Sequence, residues 1–383
     1  MTEPVWITGV GLVSCLGEGA APHLAALADP ATAPVVDAAT FAPFPIHPLP
    51  PLNLDAQIPK KGDQRQMEPW QRLGTYAAGL AIDHAGARGL VSDMHLVVAA
   101  GGGERDVPLD EAICREMAAL PAGEVGPLLN ERLANGLRPT LFLAQLSNLL
   151  AGNISIVHGV TGSSRTFMGE ESAAADAVRI AAARLAEGRG EMALVGGAYV
   201  AGRWDMILLY APSGGLWRGE WLPMAERAAA GGGMVTGSAA AFLMLETEGH
   251  ARARGAKGLA VLQSVRSGAA RRRDDDTAEA SASALAQDLP LRPGYAVFSG
   301  ASGVAAATGS ETRFLATLPE PGAIRHTTDL LGHTVEAAFP ANLALAALAI
   351  EAGLVPQALV TGFGLWRGEA LAVLEPIAEG AAA

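Results

Sequence analysis

Residues 163–178 run from a short strand, through a sharp turn at Gly169 followed by Glu170 and Glu171, into an alanine-rich helix. An elbow of this form holds one side chain above a helix N-terminus, where unpaired N–H groups and the helix dipole favour negative charge. That side chain is Glu171. A thiolate in this place takes an acyl group by thioester exchange. A carboxylate does not do so usefully, because the acyl anhydride would hydrolyse. Two readings of Glu171 follow. It is an acid drawn to the helix dipole, a preference of about 0.3–1 kcal/mol, or it is a polar partner for a histidine elsewhere, with His333 the candidate.

The elements around the elbow alternate between two periodicities. Residues 5–14 read as a buried strand entering a glycine-rich turn. Gly9 and Gly11 lack the third glycine and the acid of a nucleotide loop, so that signal is weak. Residues 30–62 are proline-rich and aperiodic. Residues 70–86 read as a helix with Leu73, Ala77, Leu80, Ala81 and His84 on one face. A strand follows at 96–100, before Gly101-Gly102-Gly103. Further expectations are a helix at 141–150, strands at 153–157 and 166–168, a helix at 172–187 and a strand at 192–200. After Gly231-Gly232-Gly233 the theme resumes, with strands at 239–246, 260–265, 297–298, 359–363 and 370–375. Helices are expected within 268–292 and at 311–316 and 340–352. This βαβ rhythm predicts an α/β protein with a largely parallel sheet covered by helices on both faces. Pattern alone does not establish a duplication.

Composition excludes several functions. The chain has 383 residues, half of them hydrophobic and 17% charged, which suits a large packed core rather than disorder. The net charge of −12 disfavours nucleic-acid binding, and the basic run Arg271-Arg272-Arg273 is cancelled by Asp274-Asp275-Asp276 in what reads as a solvated loop. No apolar run is long enough to span a bilayer and no signal peptide opens the sequence, so a soluble cytoplasmic protein is expected. Cys15 reads as buried and Cys114 as a helix-face residue. Two cysteines make neither a disulfide framework nor a four-ligand metal site. His84, His95 and His158 have no spaced partners and read as structural, and no cofactor or metal is expected.

Several motifs, in order along the chain, resemble β-ketoacyl-acyl-carrier-protein synthases. They are the opening strand 7–14, Arg65-Gln66-Met67-Glu68 with the following helix, the 139–154 segment with Asn148 and Gly152, and the elbow. They continue with Val195-Gly196-Gly197, the strand ending at Glu246 followed by His250–Lys257, then Gly332-His333-Thr334 and Gly362-Phe363-Gly364. The resemblance implies a thiolase-like layered fold of two similar βαβ-rich halves, here drawn as residues 1–230 and 231–383. It also implies dimerisation through the half that carries the elbow.

The family's chemistry uses a Cys nucleophile, two histidines and a lysine. Carried over by motif, Glu171 stands at the Cys, Gly300 at the first histidine and Thr328 at the lysine, leaving His333 alone. Phe363 matches a gating phenylalanine, although such a residue is more often core, and His333 itself reads first as an inherited core histidine. Glu336-Ala337-Ala338-Phe339 replaces a run of small residues and adds bulk near the former acyl pocket. Phe339 and Phe142 are further candidates for a chain tunnel. Losses on separate elements converge on one site while the core pattern stays intact. This implies a non-catalytic chain-length-factor subunit, paired as a heterodimer with a Cys-bearing β-ketoacyl synthase and meeting acyl carrier protein through that complex. Two alternatives stand beside it. One is a decarboxylase of malonyl-acyl-carrier protein using Glu171 in place of the Cys, the other a carrier-binding module with no reaction.

Overall fold

The computed structural model describes residues 3–270, 272 and 277–378. Most of the expected acidic–basic run (Arg271, Arg273 and Asp274–Asp276) lies outside the described residues. Arg272 does not point to solvent, since its guanidinium lies 2.7 Å from the buried Glu369 carboxylate.

Ten strands carry the architecture: β1 (Val5–Ser14), β2 (His95–Ala99), β3 (Ser164–Phe167), β4 (Met192–Tyr199), β5 (Ala239–Thr247), β6 (Ala260–Gly268), β7 (Ala296–Ser299), β8 (Ala323–His326), β9 (Ala358–Phe363) and β10 (Glu369–Glu375). A two-residue strand, Gly17–Glu18, pairs only with the end of β1. The strand order is β8-β7-β9-β10-β6-β1-β5-β4-β2-β3. Read outward from the centre, the two flanks are 1-5-4-2-3 and 6-10-9-7-8, the same order repeated with an offset of five. Directions repeat too. The inner pairs β1/β5, β5/β4, β6/β10 and β10/β9 are antiparallel, and the outer pairs β4/β2, β2/β3, β9/β7 and β7/β8 are parallel. The flanks join through a short antiparallel contact, Trp6↔Val261 and Ile7↔Ala260. The chain is thus a topological duplication. β5 sits between β1 and β4, so the changeover along the chain comes after Thr247.

Six helices complete the layers: α1 (Pro69–His84), α2 (Leu149–His158), α3 (Glu170–Ala186), α4 (Thr277–Leu285), α5 (Ala305–Ala316) and α6 (Ala338–Glu351). Helices α3 and α6 follow the equivalent edge strands β3 and β8 and are buried between the two flanks, in a core shared with β1, β5, β9 and β10. Helices α1 and α2 cover the outer face of the first flank, and α4 and α5 that of the second. α6 is buried from Phe339 to Ile350, so amphipathicity disappears. β1, β4 and β5 are buried throughout, which explains their continuous apolar runs.

Local chemistry fixes these elements. α1 begins with Pro69 and a capping box in which Glu68 N–H donates to Gln71 Oε1 at 3.0 Å. The glycines of β1 serve this helix and not a nucleotide. A Cβ on Gly11 would lie 1.9 Å from the Ala77 carbonyl oxygen, so the helix sits closer to the strand than any side chain allows.

Three expectations are corrected. Residues 153–157 are helical, inside α2, because Leu150, Ala151, Ile154 and His158 form one face buried beneath the first flank, and tertiary packing overrides the β-branched composition. The helix expected at 141–150 is only Leu141–Ala144, and the next begins at Leu149. Strand β8 was not anticipated, since Ala323–His326 is a half-exposed edge of four residues without alternation. Among the described residues no helix is long and apolar enough to cross a membrane.

Candidate functional site at the converging helix termini

The elbow and the His333 segment occupy equivalent places in the two halves. Each lies between an edge strand and its central helix, at the C-terminal ends of parallel strands, where α/β proteins gather ligand sites. Their convergence sets His333 Nε2 2.8 Å from Glu171 Oε1. The imidazole is buried and the carboxylate nearly so. His333 is fixed by its backbone, whose N–H donates to Val235 O at 2.8 Å and whose carbonyl accepts from Gly237 N–H at 3.0 Å. Its Nδ1 is buried without a hydrogen-bond partner among the described residues. On the other side of the pair, Glu170 adopts φ 57° immediately after Gly169 at φ 133°. A non-glycine residue in this left-handed region stores backbone strain of the kind found at sharp functional turns.

The remaining positions surround this pair. Gly300 N–H donates to Thr361 Oγ1 at 2.9 Å, and a Cβ on Gly300 would lie 2.5 Å from the Thr361 carbonyl oxygen. No side chain fits there without moving backbone. The Thr361 hydroxyl also bonds the buried Glu311, whose carboxylate accepts from Ser299 Oγ at 3.0 Å, and burial raises the Glu311 pKa. Thr328 is buried and donates to Ala301 O at 2.9 Å, tying the loop after β7 to the segment before His333. Phe339 and Phe363 are both 2% exposed. Phe363 packs on Phe314 with ring centroids 5.9 Å apart. Phe142 is 68% exposed and lines neither cavity described below.

Two cavities flank the elbow. The first, of about 20 Å³, lies beneath Glu171 and is lined by His333, Gly300, Phe339, Asn342 and Phe363. It has room for about one water. The second, of about 330 Å³, lies on the Glu170 side. Its walls come from Gly101–Gly103 after β2, Ala198–Val200 at the end of β4, the helix Trp204–Tyr210, and Glu336. Burial and then the charges of Glu171 and Glu170 push the Glu336 carboxyl up to about 7. Burial and the Glu171 charge also raise Glu170, with Arg367 opposing them. Gly101 makes room for Glu336, because a Cβ there would sit 2.6 Å from its Oε1.

Other candidate groups serve structure. Cys15 is buried beside His47, with Sγ 3.7 Å from Nδ1, and donates to Leu330 O at 3.1 Å; burial pushes its thiol up to about 11, so it is protonated and unreactive near neutral pH. Cys114 is exposed on the helix Val107–Ala118. His84, His95 and His158 each bond a backbone carbonyl. Among the described residues no three His, Cys, Asp or Glu side chains cluster in a way that could hold a metal.

Glu170, Tyr199 and Arg203 were not singled out as site residues from the sequence, and Glu336 was read only as bulk. The signals available were two successive acids at a helix start and a glycine triplet ending a strand.

A duplicated five-strand α/β unit with two buried central helices and a site at their N-termini is the thiolase-like fold. Residues 49–251, over half the chain, match the family model for the beta-ketoacyl synthase N-terminal domain, and the chain belongs to the β-ketoacyl synthase family. No curated protein matches it by sequence. Among solved structures it is similar to the ishigamide ketosynthase/chain length factor, with 19% identity, 99% of this chain and 100% of that chain covered, and a TM-score of 0.80. It is also similar to a β-ketoacyl synthase from Burkholderia phymatum STM815, with 18% identity, 98% and 100% coverage and a TM-score of 0.76. A third likeness, at 18% identity, 98% and 100% coverage and a TM-score of 0.72, is to a chain from a type II PKS acyl-carrier protein in complex with its ketosynthase bound to the hexaketide. At such identities the likeness is one of fold.

Proposed function

We propose that this chain is a non-condensing subunit of chain-length-factor type, which pairs with a Cys-bearing β-ketoacyl synthase and shapes the tunnel for the growing acyl or polyketide chain. The observation that carries this reading is Glu171 in the nucleophile's place, hydrogen-bonded to His333 beside a Gly300 that admits no imidazole. A carboxylate engaged in that way offers neither a thioester nor a free base, and the single remaining histidine is occupied.

The surface supports pairing. The edge strand β3 is half-exposed and bonded on one side only, and Met168, Ile156 and Phe142 are large exposed apolar side chains. The helices Val107–Ala118 and Ala122–Gly136 bury only Ile113 between them. An unpaired strand edge with apolar neighbours is an association surface, and obligate interfaces often exceed about 2,000 Å². Phe142 would then reach the partner's tunnel and not this chain's own cavity. Acyl carrier protein would dock on the assembled pair.

Co-expression with a Cys-bearing synthase followed by size-exclusion chromatography tests the pairing. A stable heterodimer is expected, and a monomer that leaves the partner's product length unchanged would refute it. Intact-mass analysis with acyl-carrier protein should show no acyl adduct on this chain. A second reading, decarboxylation of malonyl-acyl-carrier protein, has in its favour Glu171 held in the nucleophile's place beside His333. It has against it the missing donor at Gly300 and a carboxylate that would repel malonate. Conversion to acetyl-carrier protein by the isolated chain, abolished in Glu171→Ala, would establish that reading instead.

A further inference from the structure

Strand β6 holds the middle of the strand order, yet from Gln263 onward it is exposed or half-buried, like an edge. On one side it pairs with β10 along its length. On the other, only Ala260 and Val261 have partners, Ile7 and Trp6 of β1. The two strands part because Pro4 has no N–H to give and its carbonyl accepts from Glu248 N–H at 2.9 Å, while Glu3 N–H donates to Ala186 O at 3.3 Å. The chain ahead of β1 is thereby drawn to the end of α3 and not along β6. A cleft of about 440 Å³ remains between Val261–Arg266 and the α3 face of Arg179, Ala182, Ala183 and Ala186.

The duplication supplies a comparison. The equivalent edge of β1 is covered by its own chain. Gly17–Glu18 folds back as an added strand on Ser14 and Val13, Gly19 N–H donates to Leu12 O at 2.8 Å, and the helix Ala20–Ala28 follows. Among the described residues no strand pairs with the β6 edge from Leu262 to Gly268 on the β1 side. Two guanidinium groups border that cleft on a chain of net charge −12. Arg179 is partly neutralised by Asp176, with Nη2 3.3 Å from Oδ1, and its Nε donates to Ser267 Oγ at 2.8 Å. Arg266 Nη1 donates to Leu285 O at 2.9 Å and to Gln287 O, and no carboxylate pairs with it among the described residues. Glu3, the acid in the lining, accepts from Gly249 N–H at 3.0 Å.

We propose that this cleft is a docking groove for an extended acidic segment of a partner protein, which adds to β6 as a further strand and sets its carboxylates against Arg266 and Arg179. Main-chain hydrogen bonds to the unpaired edge supply affinity, and alternate side chains of the added strand supply selectivity. The alanines of α3 leave room for the side chains that point inward. A basic segment would bring like charge to the guanidinium groups. In the strand order the groove lies five strands from β3, so it is separate from the pairing surface and its test is independent of the pairing experiment.

The test titrates two fluorescein-labelled hexapeptides against the full-length chain by fluorescence anisotropy, one alternating valine with glutamate and the other valine with lysine. The glutamate peptide should bind tighter by about tenfold, the effect of one charge-assisted contact. Ala183→Trp fills the groove from an exposed position, so it should weaken that binding by about tenfold or more while leaving the melting temperature unchanged. Gln263→Glu, also at an exposed position, should cut the preference for the glutamate peptide by roughly threefold. Hydrogen exchange should slow at residues 262–266 when the glutamate peptide is bound. Equal binding of the two peptides, binding unaffected by Ala183→Trp, or unchanged exchange at 262–266 overturns the proposal. Protection of every amide of that segment without peptide overturns it too. If that protection grows with protein concentration, the groove belongs to a second copy of this chain, and if it does not, the chain covers its own edge.

Discussion

The two cavities on either side of the elbow differ in what their walls give up. Beneath Glu171 the space is about 20 Å³, closed by Phe339 and Phe363 and by backbone that meets any side chain at Gly300. On the Glu170 side it is about 330 Å³, opened by three successive glycines and floored by ionisable groups. The adjacent residues Glu171 and Glu170 line one cavity each. The closed side has room for about one water, whereas the open side has room for a small ligand. A closed and an open space thus lie side by side at one helix terminus, a contrast in keeping with the proposed tunnel-shaping role.

The largest expected effect tests the closed side. Phe363→Ala should destabilise the fold by about 3–5 kcal/mol, the usual cost of removing a buried aromatic ring, measured by chemical denaturation. A loss below about 0.5 kcal/mol would mean that the ring is a mobile gate and not packing, since surface-like positions shift stability by only that much.

The next effect tests the open side through pH. Glu336 has a folded pKa of about 7 against an ordinary value of 4.5. A carboxyl raised in the fold binds its proton more tightly there than in the unfolded chain. Its neutral form is the one the fold tolerates, so stability is full below the unfolded value and is lost as pH rises through the folded one. The loss is about 3 kcal/mol across this window. Glu336→Gln should therefore gain stability over the parent at pH 8 and little at pH 4.5, in paired thermal melts. A constant difference across that range would show that Glu336 does not titrate there.

Smaller effects sharpen the contrast. Gly300→His should cost about 1–3 kcal/mol from overpacking. Combined with Glu171→Cys, it should still yield no condensation product by mass spectrometry. Recovery of activity would show that the closed side is two substitutions from function. Gly102→Leu should be nearly neutral in stability, because the nearest atoms to its Cβ position are at 3.6 and 3.9 Å. It should nevertheless shorten the product of the heterodimer by filling the open cavity. An unchanged product length would place the tunnel elsewhere.

Legibility followed burial and locality. The long buried strands and α1, α3 and α6 were readable because continuous apolar runs or one clear period determine them. α2 and β8 were not, because a β-branched run at 153–157 and a half-exposed edge at Ala323–His326 take their states from neighbours. At the site, Glu171 and His333 were readable by motif. Their contact across 162 residues follows from the packing of the two central helices.

The sequence by itself determined most of the βαβ periodicity and the strand–turn–helix elbow opening on two acids, since these depend on residue type and near neighbours. Tertiary structure alone decided the duplication, because equivalence appears only in strand order and direction. It alone decided that Gly300 is blocked by the Thr361 carbonyl, that the Tyr199 hydroxyl is buried with no hydrogen-bond partner among the described residues and that Glu336 is buried near other acids. Each is a matter of distance between segments remote in the chain, and desolvation and steric exclusion act through those distances rather than through sequence spacing.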